Sequence, residues 1–290
     1  MSIKHPIISV TGSSGAGTST VKNTFDQIFR REGVSSVSIE GDAFHRYNRA
    51  DMKVENETRL AAGDHSFSHF SYEANELAEL ENVFRTYSES GAGKTRTYIH
   101  NDAEAEITGV PSGEFTDWAD FADGSDLLFY EGLHGAVRTD DVKIADHADL
   151  KIGVVPVINL EWIQKIQRDK AERGYSTEAV TDVILRRMDA YVNCIIPQFS
   201  NTDINFQRVP IVDTSNPLIA RWIPTPDESL IVIRFANPRG IDFPYLTSMI
   251  KGSWMSRANT IVMPGNKLDL AMQLILTPLI LRLKENSRRA

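Results

Sequence analysis

A glycine-rich segment near the start of the chain has the residue types and spacing of a phosphate-binding loop. Residues 12–20, GSSGAGTST, fit the pattern GxxxxGK(S/T) except at the lysine position, which holds Thr18. The backbone N–H groups of such a loop bind phosphate oxygens and the following helix adds its positive dipole end, so the missing lysine removes only a point charge. The hydroxyl of Ser19 occupies the position that ligates Mg²⁺. The predicted nucleotide-binding residues are Gly12, Ser13, Ser14, Gly15, Ala16, Gly17, Thr18, Ser19 and Thr20.

Charge that could replace the missing lysine lies in a later segment with helical spacing. The residues at positions i, i+3, i+4 and i+7 share one face of a helix, and here they are Lys165, Arg168, Asp169 and Glu172. Arg173 and Gly174 end this helix with a further cation beside a flexible break, as in a lid that closes on phosphates. The alternative is an ordinary solvated helix face with salt bridges.

Two carboxylates follow apolar, strand-like runs. Asp42 and Glu131 each lie next to a glycine, which predicts that both stand at the sheet edge where ligands bind. Phosphoryl transfer to an alcohol needs a metal ligand and a carboxylate that accepts the hydroxyl proton. Glu131 follows the apolar run LLFY and is the predicted Mg²⁺ ligand, whereas Asp42 precedes the cationic stretch AFHRYNR and is the predicted base. Either acid could instead cap a loop.

The elements around these residues predict the fold class. The glycine loop lies between a β-branched run and a helical apolar stripe that ends at Gly33, although a Gly/Ser turn that only joins the two elements is the alternative. Strands alternate with helices, which predicts an α/β fold with a mixed, largely parallel sheet and helices on both faces. The predicted strands are residues 6–11, 34–40, 126–132, 149–158, 204–214, 230–235 and 259–264, and the later helices are residues 160–173, 178–193 and 268–281.

A long insertion separates the second and third predicted strands. Residues 43–124 contain one helical stripe, from Tyr72 to Tyr87, and are predicted to form substrate-facing loops around that helix. The segment GAGKT at 91–95 carries a GKT ending, but a helical pattern rather than a strand precedes it, so it is predicted as a loop. No repeat or low-complexity linker divides the sequence, and residues 1–290 are predicted to form a single domain.

The composition excludes several classes of function. A chain of 290 residues with 41% hydrophobic residues is expected to be globular with a large core. Its formal net charge of −8 argues against general binding to nucleic acid or to anionic membranes. Cys194 is the only cysteine, so no intrachain disulfide can form. The first residues lack the pattern of a signal peptide and the apolar segment 268–281 is interrupted by polar residues, which predicts a cytoplasmic protein.

Several segments resemble the phosphoribulokinase family, in its short bacterial form. The most specific is KIQRDKAERGYSTE at 165–178, and the lysine-less loop, IEGDAFHR, YEGLHG, HFSYEAN and TRTYIH resemble the same family. The likeness covers essentially the whole chain, and the single cysteine agrees with it because the plant-type form carries a regulatory cysteine pair. The resemblance implies a P-loop kinase fold and the ATP-dependent phosphorylation of D-ribulose 5-phosphate to D-ribulose 1,5-bisphosphate in the Calvin cycle.

The resemblance also implies roles for individual residues. Asp42 would be the catalytic base, Asp169 a second essential acid near the metal, and Lys165 a source of charge for the nucleotide phosphates. Ser19 and Glu131 would bind Mg²⁺. The residues that would bind the sugar phosphate are His45, Arg49, Tyr98, His100, Arg168 and Arg173.

Regulation and assembly are implied in the same way. The short bacterial form is a large homo-oligomer, an octamer, that NADH activates and AMP inhibits. Small molecules are then the expected partners, beside further copies of the chain, with neither nucleic acid nor membrane among them. The candidate effector or intersubunit residues are Arg31, Arg234 and Arg257.

Two other functions stay open at this point. Uridine kinases share the loop and an RDxxxRG lid, but they normally keep the loop lysine and need no cationic cluster for an acceptor phosphate. Here the lysine is missing and His45, Arg46 and Arg49 follow the predicted base. A non-catalytic ATP-binding sensor would also explain the missing lysine. The three acids at positions 42, 131 and 169 favour an enzyme, since binding alone needs no acceptor-side base.

Overall fold

Ten strands and nine α-helices form in the part of the chain that the computed structural model describes, residues 4–13 and 18–289 with the side chains of 18–20, 172 and 173 excepted. The strands are β1 (Ile7–Thr11), β2 (Ser36–Glu40), β3 (Lys94–Thr95), β4 (Ala119–Asp120), β5 (Leu127–Gly132), β6 (Leu150–Val155), β7 (Ile204–Pro210), β8 (Ser229–Phe235), β9 (Trp254–Arg257) and β10 (Thr260–Pro264). The helices are α1 (Thr18–Glu32), α2 (Arg49–Ala61), α3 (Leu77–Ser90), α4 (Asp102–Thr108), α5 (Ile144–His147), α6 (Ile158–Arg173), α7 (Thr177–Ala190), α8 (Phe243–Met249) and α9 (Leu268–Arg289).

Eight of the strands form one mixed sheet in the order β2-β5-β1-β6-β7-β8-β10-β9. The first five strands in this order run parallel to one another. The last three extend the sheet in the antiparallel sense. The predicted mixed, largely parallel sheet is therefore confirmed, and the carboxyl ends of the five parallel strands meet at one edge.

Helices cover both faces of this sheet. Ile8 and Val10 of β1 pack with Phe25 of α1 in one hydrophobic cluster, which also takes in α9. Ile7 of the same strand packs with Phe84 of α3 in a second cluster on the other face. Because successive side chains of a strand point to opposite faces, this division follows from the continuous apolar run in β1.

The ends of β2 and β5 approach each other closely because glycine stands at both. A Cβ atom on Gly41 would lie 2.6 Å from the Tyr130 hydroxyl and 2.8 Å from the Cα atom of Gly132. Any side chain there would push the two strand ends apart. Asp42 and Glu131 are the chain neighbours of these glycines, so both lie at the same edge of the sheet.

The insertion at residues 43–124 contains more regular structure than predicted. The predicted stripe covers most of α3, which runs three residues further to Ser90, and begins in a separate 3-10 turn at Tyr72–Ala74. The helices α2 and α4 were missed because α2 buries only Met52 and α4 buries no residue, so neither has an apolar stripe. Each begins instead at an asparagine, Asn48 or Asn101, whose side chain accepts a hydrogen bond from the backbone N–H three residues later.

The last third of the chain confirms the predicted strands and adds others. The strands β7 and β10 lie within the predicted ranges and β8 begins one residue before its range, whereas β9 and α8 were missed. Every residue of β9 is exposed, so it lacks the alternation that marks a half-buried strand. Lys94 and Thr95, predicted as loop, pair with β4 as β3. Among the described residues no helix combines the length and apolarity needed to cross a membrane.

Candidate active site

The predicted phosphate-binding loop begins at the edge where the parallel strands end. The backbone N–H of Gly12 donates a hydrogen bond to the carbonyl of Gly132 over 3.2 Å. The hydroxyl of Ser13, which is fully buried, donates to Oε1 of Glu161 over 2.5 Å. The helix α1 starts at Thr18, directly after the loop, as the motif requires. The predicted residues Ser14, Gly15, Ala16 and Gly17 lie outside the described residues, as do the side chains of Thr18, Ser19 and Thr20.

Asp42 lies in a 3-10 turn that directly follows β2. Its Oδ1 is 3.2 Å from His45 Nε2, and its Oδ2 is 3.7 Å from His100 Nε2. The side chain is 39% exposed although protein atoms surround it on most sides, which describes the floor of an open cleft. Burial opposes ionisation, but the hydrogen bond from His45 and the charges of both histidines outweigh it and hold the pKa of Asp42 below its ordinary value.

A cationic side chain from the insertion fixes this turn. Arg96 donates hydrogen bonds of 2.8 Å to the carbonyl oxygens of Ala43 and His45. Its guanidinium lies 3.7 Å from the ring centroid of Phe115. The turn that carries Asp42 is therefore held by residues more than fifty positions later in the chain.

Other predicted sugar-phosphate residues surround the same cleft. Arg49, at the start of α2, donates to the carbonyl of His100 over 2.7 Å and to the hydroxyl of Ser112 over 3.1 Å. The ring of Tyr98 lies 5.0 Å from the ring of His100 and 6.2 Å from that of His45. The structure thus brings four of the six predicted sugar-phosphate residues together around the predicted base.

Three cations predicted near this site lie elsewhere or are not described. Arg46 faces the start of α3, where it donates to the carbonyl of Glu73 over 3.0 Å and lies 3.3 Å from Glu76 Oε2. Arg46 therefore does not belong to the cluster around the predicted base. The sequence analysis had grouped it there with His45 and Arg49. Arg168 belongs to a second cluster on α6. The side chain of Arg173 lies outside the described residues.

The second cluster occupies one face of α6. Lys165 and Asp169 form an ion pair one turn apart, and Arg168 Nε lies 3.7 Å from Asp169 Oδ1. Lys165 is 8% exposed and Asp169 3% exposed, so the alternative of a solvated helix face is wrong for these two residues. Burial lowers the pKa of Lys165 to about 8, although the hydrogen bond to Asp169 acts in the opposite direction.

Glu161 completes this face and was missed by the sequence analysis. Burial raises its pKa to about 7, while hydrogen bonds from Ser13 and Tyr191 act in the opposite direction. A signal for it existed, because the i, i+4 spacing of Lys165 and Asp169 extends back by four residues to Glu161. This residue joins the phosphate-binding loop to α6.

Arg187 of α7 lies between the two clusters and was also missed. Burial is the largest influence on the pKa values of Lys165 and His69 and lowers both. The charge of Arg187 lowers both further, so Arg187 is close to Lys165 on one side and to His69 on the other. Its guanidinium carbon lies 5.4 Å from the ring centroid of Phe70. A pocket lies between α6 and α7, and its lining residues include Phe70, Glu161, Trp162, Lys165 and Arg187.

A chain of buried polar side chains runs from the predicted base towards the phosphate-binding loop. His45 Nδ1 lies 2.9 Å from Asn75 Oδ1, and Asn75 Nδ2 lies 3.1 Å from His134 Nε2. Gln198 Nε2 lies 3.4 Å from His134 Nδ1, and Gln198 Oε1 accepts a hydrogen bond from the Thr11 hydroxyl over 3.3 Å. These side chains are between 0 and 6% exposed, and Thr11 ends β1 directly before the loop.

Glu131 stands where a metal ligand was predicted. It lies in register with Val10 of β1 and Glu40 of β2, at the ends of the parallel strands. Lys22 of α1 forms an ion pair with Glu40, and Glu131 also helps to raise the pKa of Lys22 against the effect of burial. In the described ranges 4–13 and 18–289, no group of three or more His, Cys, Asp or Glu side chains is arranged to hold a metal ion.

The three arginines predicted as effector or intersubunit residues lie apart from both clusters. Arg31 donates hydrogen bonds to Gln273 over 2.8 Å and to Thr277 over 2.9 Å, both on α9. Arg234 and Arg257 both lie in register with Thr260 on the strands either side of it, so they form a row across the antiparallel part of the sheet. The structure thus brings Arg234 and Arg257 together but gives Arg31 different contacts.

The fold, the glycine loop and the two clusters define a class of enzyme that transfers phosphoryl groups from nucleotides. The profile of the Phosphoribulokinase / Uridine kinase family matches residues 7–215. Because this match covers more than half of the sequence, the chain belongs to that family.

Relatives that match over nearly the whole chain carry the name phosphoribulokinase. The chain is 79% identical to "Phosphoribulokinase 2" of Cereibacter sphaeroides, over 100% of this chain and 99% of the relative. It is 70% identical to a phosphoribulokinase of Nitrobacter vulgaris over 99% of each chain. A solved structure described as phosphoribulokinase from Rhodobacter spheroides shares 76% identity, with a TM-score of 0.91 over 99% of this chain and 100% of that chain. The α/β fold that the sequence predicted is confirmed by this similarity.

Proposed function

We propose that this chain transfers the γ-phosphoryl group of ATP to the C1 hydroxyl of D-ribulose 5-phosphate, which yields D-ribulose 1,5-bisphosphate for the Calvin cycle. The observation that carries the proposal is the partly exposed Asp42 carboxylate between His45 and His100, at the edge where the glycine loop also begins. Full-length identity of 79% and 70% to proteins named phosphoribulokinase supports this choice of acceptor.

Asp42 acts as the base in this proposal. Its depressed pKa keeps it ionised at neutral pH, so the carboxylate is ready to accept a hydrogen bond from the C1 hydroxyl. Phosphoryl transfer passes through a loose transition state in which the acceptor has formed little bonding. A weakly basic carboxylate therefore suffices to orient the hydroxyl and to take its proton as the new P–O bond forms.

The acceptor phosphate needs cations close to this base. We assign it to Arg49, Tyr98 and His100, whose side chains line the same cleft, with His45 adding positive charge. The lid residues Arg168 and Arg173 would approach from α6. The base and the residues that bind the acceptor phosphate must keep a fixed separation. The hydrogen bonds from Arg96 to the turn that carries Asp42 serve this requirement.

The nucleotide side uses the glycine loop and α6. We assign the phosphates of ATP to residues 12–20, with Lys165 supplying the charge that the loop lacks at Thr18 and Asp169 holding that lysine in place. Ser19 and Glu131 would hold Mg²⁺, which would neutralise charge on the β- and γ-phosphates. A pocket next to α1 suits the adenine base, and its apolar lining includes Val21, Val154, Val155, Leu160 and Phe206.

Assembly and regulation form a further part of the proposal. We infer a cytoplasmic homo-octamer of single-domain subunits, activated by NADH, as the resemblance to the short bacterial form implies. The exposed Arg234 and Arg257 are the candidate contacts for an anionic effector or a neighbouring subunit, and Arg31 is a third. A rate with ribulose 5-phosphate that rises on addition of NADH would support this part.

Product analysis by ³¹P nuclear magnetic resonance tests the proposed reaction. Incubation with Mg-ATP and ribulose 5-phosphate should convert one sugar phosphate resonance into two of equal intensity, as ADP accumulates. A sample that forms ADP without a second sugar phosphate resonance would be hydrolysing ATP and would contradict the proposal. Uridine in place of the sugar phosphate should give no new ester.

A further inference from the structure

The amide of Asn75 has only one orientation that satisfies its neighbours. One end of it lies 2.9 Å from the carbonyl oxygen of His69 and 2.8 Å from that of Ser71. Carbonyl oxygens only accept hydrogen bonds, so the NH₂ group of Asn75 must face them. The oxygen Oδ1 is therefore the atom that faces His45 Nδ1 at 2.9 Å.

This orientation determines the protonation of His45. Because Asn75 Oδ1 is an acceptor, His45 Nδ1 must carry a proton and donate it. The other ring nitrogen, Nε2, faces the ionised carboxylate of Asp42 at 3.2 Å, which is also an acceptor. Both ring nitrogens then carry protons, and His45 is an imidazolium cation although the residue is only 6% exposed.

We propose that Asn75 is a positioning residue that holds His45 doubly protonated against Asp42, so that Oδ1 of Asp42 is occupied and Oδ2 is left for the hydroxyl of the acceptor. The inference rests on the proposed function for the role of Asp42. It adds a residue that touches neither substrate nor the reacting atoms. The buried end of the acceptor site is thereby fixed before any substrate binds.

The histidine rings nearest to His45 in the buried network are uncharged, which agrees with a positive charge on His45 itself. Burial and the charges of His45 and Arg187 lower the pKa of His69 to about 3, so this ring, whose centroid lies 4.6 Å from that of His45, is neutral. Burial likewise lowers the pKa of His134 to about 3. For His45 itself burial and the charge of Arg187 act to lower the pKa, but the hydrogen bond and charge of Asp42 together with the hydrogen bond to Asn75 outweigh them and raise it.

The protonation of His45 can be read without any substrate. Protein labelled with ¹⁵N-histidine should show two protonated nitrogens for His45 at pH 7 and a titration midpoint above the ordinary histidine value. The variant His45→Gln identifies the signal by its absence. A wild-type spectrum with one protonated and one bare nitrogen at pH 7 would overturn the inference, whether or not the chain phosphorylates the proposed acceptor.

The variant Asn75→Ala tests the positioning role. Removal of the Asn75 oxygen, which accepts the hydrogen bond from His45 Nδ1, should lower the pKa of His45. As the pH rises, the variant should therefore lose the charged, active form of His45 at a lower pH than wild type does. The basic limb of the pH profile of kcat/KM should follow, with an added loss of at least about tenfold at pH 8 relative to pH 6.5. An unchanged His45 titration, or an equal loss at both pH values, would contradict the proposal.

A matched control is available on α3. Asn82 is exposed, and its oxygen accepts a hydrogen bond from Arg85 over 2.7 Å, so Asn82→Ala removes the same amide from a neighbouring surface. This variant should leave both the His45 titration and the pH profile as in wild type. If Asn75→Ala does not fold, the wild-type spectrum still decides whether His45 is doubly protonated next to Asn75.

Discussion

Ser13 and Glu161 share a hydrogen bond of 2.5 Å across a separation of 148 residues. Ser13 is fully buried and Glu161 is 8% exposed. One belongs to the start of the glycine loop, and the other lies one turn before Lys165 on α6. The contact joins Ser13, at the start of the segment proposed to bind phosphates, to the helix proposed to supply their missing cation.

The raised pKa of Glu161, about 7, makes stability depend on pH. The folded protein keeps the proton that an unfolded chain releases at lower pH, so wild type loses stability as the pH rises towards 7. Glu161→Gln is neutral at every pH and should gain on the order of 2 kcal/mol of unfolding free energy relative to wild type between pH 5 and pH 8. Urea unfolding at the two pH values measures this.

The control for this prediction is Glu79→Gln, on the exposed side of α3. It should show the same difference from wild type at pH 5 and pH 8. If Glu161→Gln also shows no change between the two pH values, Glu161 does not titrate in the folded protein as described.

Replacement of Asp42 by asparagine should abolish the base while keeping the shape of the cleft. We expect Asp42→Asn to lower kcat by at least about a thousandfold, because a positioned base contributes about 10² to 10⁴ in rate and the variant also loses its charge. The affinity for ATP, measured by calorimetry, should change by less than about twofold, since no described contact joins Asp42 to the glycine loop. Asp117→Asn, at an exposed position, should behave as wild type. A kcat for Asp42→Asn within tenfold of wild type would remove Asp42 as the base.

Lys165 should be required for the use of ATP. Lys165→Met keeps the length of the side chain and removes its charge, so kcat/KM for ATP should fall by about 10² or more. Lys170→Met makes the same change at an exposed position of the same helix and should have little effect. Steady-state kinetics with varied ATP compare the two. Normal ATP kinetics in Lys165→Met would leave the missing loop lysine without a replacement.

Arg49 should act on the acceptor rather than on the nucleotide. Arg49→Ala removes a cation from the cleft and the hydrogen bond to the carbonyl of His100, so the KM for ribulose 5-phosphate should rise by about tenfold or more. The KM for ATP should stay within about twofold. Arg85→Ala, on the exposed face of α3, is the matched control. A change confined to the KM for ATP would move Arg49 to the nucleotide site.

Local patterns in the sequence predicted the elements that bury an apolar stripe or run. The strands of the parallel sheet and the stripe of α1 follow from spacing alone, because their side chains pack into the two main clusters. The helices α2 and α4 could not be found in this way, since they bury one residue and none. Their signals were the capping asparagines, which depend on a hydrogen bond rather than on periodicity.

In the candidate site, too, some residues could be predicted from local spacing and others could not. Lys165 and Asp169 were predicted from one helix turn, and the structure brings them together. The network behind Asp42 could not be predicted, because its members are far apart in sequence: Asn75 and His134 are separated by 59 residues, and Thr11 and Gln198 by 187. Such contacts depend on the packing of the sheet and the insertion, which no local pattern encodes.

The most direct test of the proposed function is the initial rate of ADP formation from Mg-ATP with ribulose 5-phosphate or uridine as the acceptor. We expect rapid turnover with ribulose 5-phosphate and a background rate with uridine. Turnover with uridine alone would keep the fold and Asp42 but contradict the assigned acceptor. A background rate with both acceptors, from protein that still binds ATP, would contradict the kinase activity and favour an ATP-binding sensor.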